Sequence, residues 1–158
     1  MNFETDIFEV YDKKWALLTA GTMDRFNTMT ISWGSMGTLW GKPVATVYVR
    51  TSRYTHDFMD DNDYFTVSFY PSEFKKTLGV LGSRSGREID KMHIPGMTPC
   101  AAGESVSFEQ AEVTLLCKKL CSQLLDPDHI PADIVNQFYT DDAPHNMFIG
   151  EVVDIIRK

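Results

Sequence analysis

Two hydrophobic rhythms alternate along this chain, one of period two and one close to 3.6 residues. Residues 15–20 are a short apolar, β-prone run, and Gly21, Asp24 and Asn27 mark a turn after it. Residues 27–34 alternate small polar with large apolar side chains, and a second strand is predicted over 28–36. A turn at Gly41-Lys42-Pro43 leads into residues 44–49, a third strand rich in β-branched residues, so three neighbouring antiparallel strands are expected. Ser52 or Thr55 is placed to cap a helix running to about Asn62, with Asp57, Asp60 and Asp61 suiting its N-terminal half. Residues 64–70 alternate again and end at Pro71. A helix from Ser72 to about Leu81 follows, with Gly82 just past its end.

Residues 82–104 hold Gly, Pro and Ser throughout and predict an irregular segment, apart from a turn or two of helix over 87–92. A loop of that length inside a compact domain is usually functional. Residues 112–125 fit two patterns. Val113, Leu116, Leu120 and Leu124 recur at helical spacing, whereas Val113, Leu115 and Cys117 alternate as in a strand. Pro131 suits the first turn of a helix to about Phe138, and residues 147–156 read as a final β-branched strand. No repeat, low-complexity tract or linker interrupts the pattern. The expectation is a single domain over residues 1–158, mainly β, with six or seven strands and peripheral helices.

Composition narrows the function classes. At 158 residues, 43% hydrophobic and 23% charged, the chain has the balance of a globular protein with a core of its own. A net charge of −7 disfavours nucleic acid and anionic lipid as partners. No apolar run approaches the ~20 residues of a membrane-spanning helix. The N-terminus lacks a basic region leading into an apolar one, and the three cysteines form no disulfide framework, so a reducing, cytoplasmic setting is expected.

Against that acidic background one basic cluster stands out. Arg50-Thr51-Ser52-Arg53-Tyr54-Thr55-His56 crowds two guanidinium groups and three hydroxyls at the start of a predicted helix. Helix-terminal N–H groups, hydroxyls and planar Arg forks all favour a dianion, which is the composition of a phosphate clamp. Upstream, Asn27-Thr28-Met29-Thr30-Ile31-Ser32-Trp33-Gly34 reads as a half-buried strand with Thr28, Thr30 and Ser32 on one face, small enough for a ring to approach the backbone. Platform and clamp together point to a phosphorylated, planar ligand such as FMN.

The segments NTMTISWG, VRTSRYTH followed by DNDYFTVSF, and SGREIDK, in this order and spacing, resemble the flavin reductase-like, flavoredoxin-type family. The resemblance covers roughly residues 13–125, and the last strand also fits. It implies an FMN-binding split barrel, a six-stranded antiparallel Greek-key β-barrel, with residues 112–125 as a barrel strand. It further implies a homodimer with one FMN per subunit near the interface. Carried over by position, Asn27, Thr28, Met29, Thr30 and Ser32 become ring contacts, with Trp33 as core or pocket wall. Ser52, Thr55 and the local N–H groups become phosphate ligands, helped by Arg50 or Arg53, while Tyr54 is open to either role, ligand or packing. Ser85, Gly86 and Lys91 belong to the loop that reaches toward the cofactor.

Other candidates carry less. Cys117 and Cys121 on one strand would lie roughly 13 Å apart, beyond disulfide reach, and they lack His or Cys partners nearby in sequence, so they read as structural thiols. His56, His93, His129 and His145 are scattered without catalytic or metal spacing, and no Rossmann glycine motif is present. No catalytic residue and no metal are expected. The functional expectation is a flavoprotein oxidoreductase, an FMN reductase taking NADH or NADPH as a transient co-substrate, with Arg84, Arg87 or Lys91 meeting the nucleotide phosphates. Two alternatives share the same pocket: an electron carrier serving a redox protein partner, and a flavin-storage protein.

Overall fold

The computed structural model describes residues 1–158. A short N-terminal helix, α1 (Ile7–Asp12), is capped by the Asp6 carboxylate, which accepts from the N–H groups of Phe8 and Glu9 at 3.1 Å. Then come β1 (Ala16–Thr22), β2 (Arg25–Ile31), β3 (Gly34–Leu39) and β4 (Lys42–Arg50). Helix α2 (Tyr54–Asp61), β5 (Tyr64–Phe69) and α3 (Lys75–Ser83) follow. The second half holds β6 (Pro99–Ala102), β7 (Ser105–Phe108), β8 (Val113–Leu124), α4 (Ala132–Phe138) and β9 (His145–Arg157).

Seven strands form one antiparallel sheet in the order β2-β1-β5-β8-β9-β4-β3, and β6 with β7 makes a separate ribbon. The sheet is therefore not the six-stranded barrel implied by resemblance, and its ladder does not close. The extra strand arises at Ser32-Trp33. Residues expected as one strand over 28–36 divide into β2, paired with β1, and β3, paired with β4 at the opposite edge of the sheet. Side-chain alternation runs unbroken from Thr28 through Trp33, past the end of β2, and its phase slips only at Gly34-Ser35 inside β3, so the pattern does not place the break.

The hydrophobic core has two layers. Inside the curled sheet, Leu18, Ala20, Met29, Ile31, Val47, Val49, Phe65, Val67, Leu115 and Phe148 form one cluster. Outside it, Leu17, Phe26, Leu78, Leu81, Val106 and Phe108 form another beneath α3 and the β6-β7 ribbon. Neighbours such as Leu17 and Leu18 serve opposite layers, which is why β1 reads as a continuous apolar run rather than an alternating one. The same two-sided burial at Thr114 to Cys117 blurs the period of β8 and mimics helical spacing; the segment is a strand, bent by register shifts at Leu116/Cys117 and Lys119/Cys121.

Several local expectations need correction. Helix α2 starts at Tyr54, with Arg53 at the N-cap and no side-chain cap. Gly82 lies inside the last turn of α3, and Pro131 immediately precedes α4. Residues 87–92 form turns only, while α1 and the four-residue strands β6 and β7 are too short to leave a period in the sequence. Cys117 is buried and Cys121 half-buried, both on β8, and burial pushes the Cys117 thiol pKa well up.

Gly150 on β9 shows how closely the inner layer packs. A Cβ there would stand 2.6 Å from Phe65 Cζ and 2.9 Å from Cys117 Cβ. Overpacking of this kind costs about 1–3 kcal/mol. The variant Gly150→Ala should lose stability of that order in urea unfolding, whereas Gly37→Ala, whose added methyl group would meet nothing within 4 Å, should not.

Candidate functional site

The free edge of β2 runs along two adjoining cavities. The first, about 180 Å³, is walled by Met29, Thr30, Ile31, Ser32, Trp33, Tyr48, Arg50, Arg53, Gly82 and His145. The second, about 150 Å³, lies toward the start of α2 and is lined by Asn27, Met29, Ser52, Arg53, Tyr54, Thr55, Ser83, Ser85, Gly86, Glu88 and Lys91. Met29 and Arg53 belong to both, so one groove leads from an aromatic wall to a cationic, hydroxyl-rich end.

The cationic end is built from several elements. Lys91, only 4% exposed, donates to the carbonyls of Thr28 and Leu81, each at 2.9 Å. Arg53 Nη2 donates to the carbonyl of Gly82 at 2.8 Å. Neither side chain has a carboxylate within ion-pair distance, as both are missing from every salt bridge of the fold. Burial, then the neighbouring Arg53, lowers the Lys91 pKa to about 8. Burial also lowers that of Arg53, with Arg50 adding to the effect against the opposing pull of Asp142. Beside them the N–H groups of Tyr54 and Thr55 open α2 without an acceptor in the chain. The result is a concentration of positive charge without a direct ion-pair partner, beside free donors.

Close packing fixes the loop that closes this end. Asn27 Nδ2 donates to Thr55 Oγ1 at 2.8 Å, and a Cβ on Gly86 would come within 2.1 Å of Asn27 Oδ1 and 2.9 Å of the Tyr54 ring. Arg87 covers the face of Tyr54 at 4.7 Å and reaches Asp57 at 3.4 Å. Tyr54 is thus a packed residue, edge-on to Phe58, rather than an open stacking surface.

Twelve of the thirteen residues singled out in the sequence line the groove, namely all but Thr28. The Thr28 hydroxyl is buried on the other side of β2, where it meets Thr19 Oγ1 at 2.8 Å and donates to the Leu18 carbonyl at 3.0 Å. Its neighbour on that face, Thr30, donates to the Leu78 carbonyl at 2.5 Å. The expected small-residue face is therefore turned toward α3, and what β2 offers the groove is its free backbone edge, of which Lys91 takes the Thr28 carbonyl. An edge strand directs N–H and C=O of alternate residues outward, which puts the backbone of Thr30 on the same free edge.

Arg50 and Ser52 line the groove but are already engaged. Arg50 Nη1 donates to the carbonyls of Phe138 and Ala143 at 2.9 and 2.8 Å, and Ser52 Oγ donates to Asp142 Oδ1 at 2.8 Å. His145 and Tyr48 are the residues that sequence reasoning misses. His145 Nδ1 shares a hydrogen with the Tyr139 hydroxyl at 2.7 Å, and its ring sits 5.5 Å from that of Trp33. Only three-dimensional proximity to Trp33 marks it, because 112 positions of sequence separate the two.

Residues 10–158 match the sequence model of the flavin reductase like domain. The chain belongs to that family. Among solved structures, a flavoredoxin from Methanosarcina acetivorans superposes with a TM-score of 0.72 at 21% identity, covering 100% of this chain and 75% of that one. An FMN-binding protein from Thermus thermophilus with bound p-hydroxybenzaldehyde gives 0.71 at 21% identity, over 100% and 79% of the two chains. The flavin reductase of a styrene monooxygenase from Pseudomonas putida S12 gives 0.66 at 19%, over 91% and 79%. At these identities the likeness shows the shared fold. No curated protein matches the sequence. No helix of this flavin reductase-like chain is long and apolar enough to cross a membrane.

His145 yields a pH prediction. Burial, then Arg50, lowers its pKa from 6.5 to about 4. The unfolded imidazole therefore takes a proton that the folded one refuses, so the stability this group contributes is intact above pH 6.5 and declines as pH falls toward 4. An NMR titration should find His145 neutral down to about pH 4. Urea midpoints across this window should depend less on pH in His145→Asn.

Proposed function

We propose that this flavin reductase-like protein is an FMN-binding oxidoreductase. The observation that carries the reading is the pair Lys91 and Arg53, held by carbonyls with no carboxylate in ion-pair contact, set against the unpaired N–H groups that open α2. A buried cation held by carbonyls alone is costly unless an anion completes it, and helix-terminal donors select phosphate. The adjoining cavity supplies Trp33, Tyr48, Met29 and the free edge of β2, a surface suited to a planar ring. In this reading Asn27, Met29, Thr30 and Ser32 flank the ring, the Thr28 backbone contributes through Lys91, and Ser52, Arg53, Thr55, Ser85 and Gly86 surround the phosphate. Arg50 and Tyr54 belong to the lining but are engaged within the chain.

FMN supplies the electron and hydride chemistry when bound, so the chain need only hold, orient and shield it. His145, held neutral beside Tyr139, and the Arg50 guanidinium next to it set the polarity at the ring end. The co-substrate in this reading is NADH or NADPH. Arg84 and Arg87, however, are paired with Glu88 and Asp57, each at 3.4 Å. That observation favours the second reading, an electron carrier for a redox protein partner, although exposed pairs of this kind hold weakly. We further read the protein as a cytoplasmic homodimer. The unpaired edge of β3 and the exposed Phe8, Trp33 and Trp40 beside it supply the surface.

Purified protein should release FMN on denaturation. Lys91→Met should weaken FMN by roughly 10- to 100-fold while changing riboflavin little, as removal of a charge-assisted contact to phosphate requires. Equal loss for both ligands would remove Lys91 from a phosphate site. An anion raises the Lys91 pKa above its value of about 8, so binding takes up a proton. FMN affinity in calorimetry should accordingly fall as pH rises through 8, and riboflavin affinity should not.

Anaerobic addition of NADH or NADPH should bleach the flavin absorbance within seconds. Bleaching by a protein donor but by neither nucleotide would favour the carrier. Sedimentation of the flavin-loaded protein at micromolar concentration should give a dimer; a monomer would contradict the assembly.

A further inference from the structure

The segment between α4 and β9 runs beside the groove and sets a carboxylate against Ser52 and Arg50, two residues that line it. Asp142 Oδ1 accepts from Ser52 Oγ at 2.8 Å and from the Ala143 N–H at 2.7 Å, while Oδ2 lies 3.5 Å from Arg50 Nε. The Ser52 hydroxyl, followed by the Ala143 N–H, Arg50 and Arg53, holds the carboxyl below its ordinary pKa. Neighbours on the same segment are tied to the same place. Phe138 and Ala143 give their carbonyls to Arg50, Pro144 accepts from the Thr51 N–H at 3.1 Å, and Tyr139 lies 5.3 Å beneath the Arg50 guanidinium. Phe138 also meets Trp33 edge-on at 5.3 Å, on the wall of the flat cavity.

The geometry points to Asp142 as a resident anion of the clamp, one that a phosphate-bearing ligand must displace and that couples phosphate binding to release of residues 138–144 from Arg50 and Trp33. This rests on the reading of the groove as a phosphate site. Three features argue for displacement rather than permanent support. The carboxylate uses Ser52, a hydroxyl that lines the cavity at the start of α2, so carboxylate and phosphate compete for one donor. Its side chain is 48% exposed and residues 140–142 are exposed, so little burial opposes its departure. A single negative charge balances Arg50 and Arg53 only partly, and a dianion in the same field balances them better. A ligand without phosphate, such as riboflavin, leaves Asp142 in place.

The test uses the purified full chain and three probes, FMN, riboflavin and inorganic phosphate, with hydrogen exchange at residues 138–144 as a readout independent of activity. Asp142→Asn preserves an acceptor for Ser52 and Ala143 but removes the charge. It should bind FMN and inorganic phosphate about tenfold more tightly than the parent, with riboflavin unchanged, since one like charge has left a half-solvated site. In the parent, FMN and phosphate should speed exchange at 138–144 and riboflavin should not. Tighter phosphate binding and faster exchange in a protein that ignores both flavins would uphold the displaced anion while overturning the flavin reading. If Asp142→Asn weakens FMN, or FMN slows exchange at 138–144, Asp142 is a fixed support of Ser52 and the inference fails. It fails equally if none of the probes alters exchange or distinguishes the variant.

Discussion

Laid flat, the seven-stranded sheet would hold β2 and β3 about 29 Å apart, six interstrand steps of roughly 4.8 Å. The chain joins those two edges through Ser32 and Trp33 alone. Three successive Cα steps reach at most about 11 Å, so the sheet has to curl until its edges meet at this point. The seam that results has a free strand edge on one side and β4, with Tyr48 and Arg50, on the other. The first cavity lies along that seam. Location of the site is thus a consequence of chain length between two strands, and the split is what gives a ligand access to the backbone of β2.

The second organising fact is how the cations are held. Lys91, Arg53 and Arg50 are all fixed by main-chain carbonyls, at Thr28 and Leu81, at Gly82, and at Phe138 and Ala143. A carbonyl satisfies the donor and sets its direction without cancelling its charge. A carboxylate would do both. For Lys91 and Arg53 the charge is therefore preserved for something else, at a cost visible in the lowered pKa of each. Arg50 differs, since Asp142 lies beside it, and the contrast among the three cations separates the groove into an open end and a guarded one.

Much of this is legible in the sequence because the chemistry is local there. Residues 50–55 are contiguous, β4 hands directly to α2, and the loop carrying Ser85, Gly86 and Lys91 is conspicuous for its length and charge. Thr28 is misplaced by its pattern because alternation gives the two faces of a strand without saying which one is open, and α3 covers the face that carries the threonines. The break at Ser32 is hidden because the alternation of β2 carries on through Trp33, and its phase slips only at Gly34-Ser35, after the chain has changed partners. Two-sided burial in β8 erases the period that separates strand from helix. His145 and Asp142 are out of reach for another reason: each acts across 90 or more positions, on Ser52 or Trp33, and no spacing rule connects them.

Long-range contacts of the same kind govern the aromatic-walled end of the groove. The titratable groups that line it are Tyr48, Arg50, Arg53 and His145, and of these His145 is kept neutral by burial and by Arg50. A neutral imidazole beside a fixed guanidinium favours any bound group that gains negative charge, yet does not itself exchange a proton near neutral pH. Residues 138–144 control both of the groups that set this polarity, since Tyr139 holds His145 and two carbonyls hold Arg50. Movement of that segment would alter the hydration of Arg50 and the burial of His145 together. The polarity of the aromatic-walled end therefore depends on the position of a surface segment whose anchor, Asp142, bridges Arg50 of the first cavity and Ser52 of the second.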